Sequence, residues 1–121
     1  MSKKKVLIID DDSRNIFALK ATLKAKGFDC LSCTGAPEAL ALLKTEEDVD
    51  AVLIDMMMPE MDGYEAIPRI KMLEHRKNLP VIAVTAQAMV GDREKCLRAG
   101  ADDYISKPID VEKLLRLLHD I

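Results

Sequence analysis

Two rhythms of apolar and polar positions alternate along this chain. Val6, Leu7, Ile8 and Ile9 form a short unbroken apolar run, and residues 51–54 and 80–84 form two more. Runs of this length, rich in branched side chains, predict strands buried on both faces, as in a parallel sheet covered by helices. Residues 28–33 read as a further strand of weaker pattern, and residues 102–106 as a fifth. Between them the spacing turns helical. Ile16, Leu19 and Leu23 precede a stop at Gly27, with Asp12 or Ser13 as the cap. Pro37 suits a first helical position, with Leu40 and Leu43 facing inward. Ile67, Ile70 and Leu73 follow Asp62-Gly63-Tyr64-Glu65, which reads as a capping box. Pro68 conflicts with that helix, so an irregular first turn or a late start is expected there. A helix over residues 92–99 ends at Gly100, and Asp110 opens a last one with Val111, Leu114, Leu115 and Leu118 on its stripe.

Five strands alternating with five helices predict an α/β fold: a doubly wound parallel sheet with helices on both faces. In such sheets ligands gather outside the carboxyl ends of the strands. No repeat, linker or low-complexity segment divides residues 1–121, which read as a single domain.

Composition narrows the function without naming it. Hydrophobic content of 49% and charged content of 32% describe a globular protein, and a net charge of -3 argues against nucleic-acid binding. Lys3, Lys4 and Lys5 read as a solvated lead-in to the first strand. No apolar stretch reaches membrane-span length, and the first one is too short for a signal peptide, so a cytoplasmic location is expected. Cys30 and Cys33 have the spacing of a redox or zinc motif, yet residues three apart on a strand face opposite ways. They read as small residues in a half-buried strand, and with Cys96 they make no disulfide framework. His75 and His119 are expected on helices, solvated and away from the strand ends.

The candidate chemistry sits where the strands stop: Asp10 and Asp11, Asp55, Thr85, and Lys107. Parallel strands bring these ends to one edge, and three crowded carboxylates call for a cation. Oxygen ligands from Asp11 and Asp55, with a backbone carbonyl nearby, suit Mg²⁺. The metal and Lys107 together balance a dianionic phosphoryl group, and the Thr85 hydroxyl can donate to one of its oxygens. A carboxylate is a competent nucleophile toward phosphorus, which makes Asp55 a candidate for more than ligation.

With Asp10-Asp11, Asp55-Met-Met-Met58-Pro59, Met61-Asp62-Gly63, Thr85-Ala86 and Tyr104-Ile-Ser-Lys107-Pro108 in order, the chain resembles the receiver domain of two-component response regulators. The resemblance covers nearly the whole length. It implies strand order 2-1-3-4-5 and phosphorylation of Asp55 from a partner's phosphohistidine. It further implies Mg²⁺ bound directly by Asp11, Asp55 and the Met57 backbone carbonyl, with Asp10 acting through water. Lys107 would contact the phosphoryl group, Thr85 and Tyr104 would form the switch pair, and the Lys107-Pro108 bond would be cis. Tyr104 also reads simply as a half-buried strand aromatic. Met57 and Gln87 occupy the positions that tune acyl-phosphate lifetime, and apolar Met57 predicts slow self-hydrolysis.

Two rival chemistries fit less well. A haloacid-dehalogenase-type phosphohydrolase needs an Asp two residues after its nucleophile, where this chain has Met57. A flavodoxin-like binder wants a Ser/Thr/Gly-rich phosphate loop after the first strand, where Asp10-Asp11-Asp12 repels phosphate. The expected protein is therefore a phospho-switch and not a turnover enzyme. Its partners would be a sensor histidine kinase, a histidine phosphotransfer protein, or both. The stretches around Ser13–Leu19 and Thr85–Met89 are similar to receivers of hybrid sensor kinases. No effector is expected after the last helix, which fits a stand-alone receiver or a piece cut from a larger protein, and Leu117 and Ile121 widen that helix's stripe toward an expected partner or homodimer surface beside Tyr104.

Overall fold

The computed structural model describes residues 3–45, 48–86 and 90–120. Five strands, β1 (Lys5–Ile9), β2 (Asp29–Cys33), β3 (Ala51–Asp55), β4 (Val81–Thr85) and β5 (Asp103–Ser106), alternate with five helices. The helices are α1 (Ser13–Ala25), α2 (Ala36–Thr45), α3 (Gly63–Met72), α4 (Asp92–Ala99) and α5 (Val111–His119). All strand pairs are parallel, in the order β2-β1-β3-β4-β5.

The continuous apolar runs follow from burial on both sides. Leu7, Ile9, Val52, Ile54, Val81 and Ala83 pack toward α2, α3 and α4 through Ala39, Leu43, Ile67, Ile70 and Cys96. Val6, Ile8, Leu53, Ile82 and Val84 pack toward α1 and α5 through Ile16, Leu23, Leu114 and Leu118. Cys33 lies in the first layer and Cys30 packs against the second, as the strand period requires. Burial pushes both thiols up, which leaves them weakly nucleophilic.

Several boundaries differ from the sequence expectation. β4 starts at Val81 because Pro80 has no N–H, although its carbonyl accepts from Val52 N at 2.9 Å. β5 starts at Asp103; the Asp102 carboxylate is occupied by Val81 N and Lys71 Nζ, each at 2.8 Å. Phe28 precedes β2, its N–H turned back to the Leu23 carbonyl at the end of α1. α2 opens at Ala36, one residue before Pro37.

α3 neither starts late nor skips a turn. Asp62 caps it by accepting from Glu65 N at 3.0 Å, and the helix runs through Pro68. Pro68 lies on the exposed side of the helix, and its missing N–H leaves the Tyr64 carbonyl without its usual intrahelical donor. Only half of the capping box forms, since the Glu65 carboxylate pairs with Arg69. His75 is not helical: it sits in the turn after α3 at φ 68°, while His119 closes α5 against the Phe28 ring. Leu117 is half-buried and packs with the α1–α5 layer, Tyr104 packs on the other layer, and Lys113 of α5 stands 5.7 Å over the Tyr104 ring. Ile121 lies outside the described residues.

Candidate functional site

The register puts the strand-end residues at one edge. Ile9 pairs with Ile54, so Asp10 and Asp55 are the next positions on neighbouring strands. Asp55 pairs with Val84, which places Thr85 one step further along β4. Thr85 pairs with Ser106, and its carbonyl accepts from Lys107 N at 2.7 Å, fixing the lysine beside β4. The Lys107-Pro108 bond is cis.

The side chains converge as the register demands. Carboxylate oxygens of Asp10, Asp11 and Asp55 lie within 4.8 Å of one another. Asp10 and Asp55 are buried at 4% and 6% exposure, while Asp11 is open to solvent. Lys107 Nζ is 3.3 Å from Asp55 Oδ2 and 3.8 Å from Asp10 Oδ2. The remaining Asp55 oxygen, Oδ1, accepts from Met57 N at 2.9 Å, and the Met57 side chain stands 56% exposed beside it. Thr85 is buried and Tyr104 half-buried. Gln87, Ala88 and Met89 lie outside the described residues.

Burial pushes the Asp10 carboxyl up, and the Asp55 charge adds to this. The Asp12 N–H, Lys107 and Asn15 oppose the rise without cancelling it. Asp10 Oδ1 accepts from Asp12 N at 2.9 Å, and Asn15 Nδ2 reaches Oδ2 at 3.5 Å. Asn15 escaped the sequence reading, although its place in the first turn of α1 was a signal that it could reach back to Asp10. Three hard oxygen donors crowded at one edge, with one lysine among them, under-neutralise themselves. That donor set fits a small divalent cation.

An open cavity of about 590 Å³ leads from Asp10 and Lys107 between α1 and the start of α5, lined by Leu19, Thr22 and Ile109. His75 and His119 lie away from this edge, on the far turn after α3 and at the end of α5. Among the described residues no helix is long and apolar enough to cross a membrane.

The family model of the response regulator receiver domain matches residues 6–119. The chain belongs to that family. As a receiver domain it is a phosphoacceptor module of two-component and phosphorelay signalling. It is 35% identical to Histidine kinase 3 of Arabidopsis thaliana over 93% of its own length, and spans 13% of that protein. It is 36% identical to the polar-differentiation response regulator DivK of Brucella ovis, covering 95% of this chain and 93% of DivK. Its fold is similar to that of the receiver domain of sensor histidine kinase PA1611 from Pseudomonas aeruginosa, a structure with magnesium coordinated in the active-site cleft. The TM-score is 0.89 at 33% identity, covering 98% of this chain and 97% of that one.

Proposed function

We propose that Asp55 is the phosphoacceptor of this receiver domain and that residues 1–121 act as a single phospho-switch. The observation that carries the reading is the convergence of Asp10, Asp11 and Asp55 within 4.8 Å, with Lys107 3.3 Å from Asp55. A carboxylate oxygen of Asp55 attacks the phosphorus of a partner's phosphohistidine, the N–P bond breaks, and neutral imidazole leaves. Lys107 then contacts the phosphoryl oxygens, and the Thr85 hydroxyl donates to one of them. Asp11, Asp55 and the Met57 carbonyl would hold Mg²⁺, with Asp10 acting through water. When bound, Mg²⁺ supplies positive charge to the transferring phosphoryl group.

Tyr104, on β5 next to Thr85's strand, is the aromatic partner of the switch. The Met57 side chain offers no group to orient an attacking water, so the acyl phosphate is slow to hydrolyse. The domain acts on its own carboxylate and turns over no separate substrate, which makes it a switch and not an enzyme. Its donors are a sensor histidine kinase or a histidine phosphotransfer protein, met in the cytoplasm, and its negative charge gives nucleic acid no foothold. The likeness to Histidine kinase 3 favours a receiver of hybrid-kinase type. A homodimer through β5 and α5 would use the half-buried Leu117, which keeps part of its surface open to solvent.

Labelling with acetyl phosphate tests the reading. Wild-type protein should take up phosphoryl groups only with Mg²⁺, and Asp55→Asn should take up none. Equal labelling of the two would remove Asp55 from the site.

A further inference from the structure

Away from the acid edge, a polar cluster joins α3 and α4 around one buried carboxylate. Asp92, the first residue of α4, is only 8% exposed. Its Oδ1 accepts from Tyr64 Oη on α3 at 3.3 Å, and among the described residues its Oδ2 has no hydrogen-bond partner. Lys95 Nζ, one turn along α4, stands 4.4 Å over the Tyr64 ring. Gly91 precedes α4 in a left-handed conformation without a side-chain cap, and only Asp92 and Cys96 of the helix's eight residues are buried. Among the described residues, then, this buried carboxylate is satisfied at one oxygen only, by the Tyr64 hydroxyl.

The cluster is wired to the acceptor loop. Met56 follows Asp55, donates to the Val84 carbonyl at 2.9 Å, and accepts from Gly63 N at 3.2 Å. Gly63 packs on Met56 so closely that a Cβ there would meet the Met56 Cα at 2.9 Å. Tyr64 is the next residue. Met56 and Gly63 thus join the acceptor loop to the start of α3 through one hydrogen bond and one close contact, apart from the Thr85–Tyr104 pair.

Resting on the reading of Asp55 as phosphoacceptor, we propose that Tyr64 is a positioning residue whose contact with Asp92 and Lys95 restrains α4 in the unphosphorylated arrangement. Phosphorylation works against this contact. Breaking it in advance shifts the population toward the state that accepts a phosphoryl group.

The test is amide hydrogen exchange across Asp92–Ala99, run beside Mg²⁺-dependent phosphoryl uptake from acetyl phosphate. Tyr64→Phe, which keeps the ring and removes the hydroxyl, should speed α4 exchange about tenfold and raise the uptake rate, with β1 and β3 amides unchanged. Lys95→Met, an exposed change that leaves the core untouched, should do the same by about threefold. In an Asp92→Ala background Tyr64→Phe should add no further rise in exchange, because the contact it removes is already gone. Unchanged α4 exchange overturns the proposal. So does faster exchange without faster uptake, or exchange that rises equally in β1 and β3. Comparison of wild type with Asp55→Asn separately decides the phosphoacceptor reading, because the exchange arm needs no phosphorylation.

Discussion

Asp10 carries the charge problem of this site at the scale of one residue. It is buried beside Asp55, and burial raises its pKa above the ordinary 3.8. A group shifted this way favours the fold below its unfolded pKa, and that contribution is lost as pH rises through the higher folded value. At neutral pH without metal, charged Asp10 therefore weighs against stability. Asp10→Asn should melt higher than wild type at pH 7 in the absence of Mg²⁺, and the gap should close as pH falls toward 4. Added Mg²⁺ should stabilise wild type more than the variant. A variant that melts lower at pH 7, or a gap indifferent to pH, contradicts this. Asp55, Thr85 and Lys107 were legible from sequence because each polar residue interrupts or ends an apolar strand, and register does the rest. Asn15 was less legible, since its reach to Asp10 depends on how the first turn of α1 docks.

Among the elements, the strands were readable and the helix starts less so. Period and burial agree for β1, β3 and β4, each lying between two packed layers. Pro68 misled because its position in the sequence does not reveal that it falls on the exposed side of α3, where a missing donor is tolerated. His75 misled in a similar way, since nothing in its own chemistry announces a left-handed position in the turn after the helix. Gly63 shows the opposite situation. Its φ is ordinary, so it is required for space and not for conformation: a Cβ would collide with Met56 Sδ and lie 2.9 Å from Met56 Cα. Gly63→Ala should destabilise the domain by about 1–3 kcal/mol, as overpacked sites do, read as a lower denaturant midpoint at unchanged slope. A midpoint equal to wild type would show that Met56 gives way freely and that the segment joining Asp55 to Tyr64 is not tightly packed.

For the whole molecule, the alternation of strand and helix predicts the parallel sheet, but it does not by itself order the strands. The order 2-1-3-4-5 was legible only through the family resemblance, because five alternating units admit several right-handed windings. That order sets β1 between β2 and β3, and so puts Asp10 and Asp55 on adjacent strands with Thr85 and Lys107 on the next two. The fold thus creates the charge crowding, and the crowding calls for metal and phosphate. The most direct test of this account is chemical trapping of the acyl phosphate. After incubation with Mg²⁺ and a phosphohistidine donor, borohydride reduction followed by peptide mass mapping should find homoserine at position 55. Reduction at another carboxylate, or none in protein that carries phosphoryl label, would contradict it.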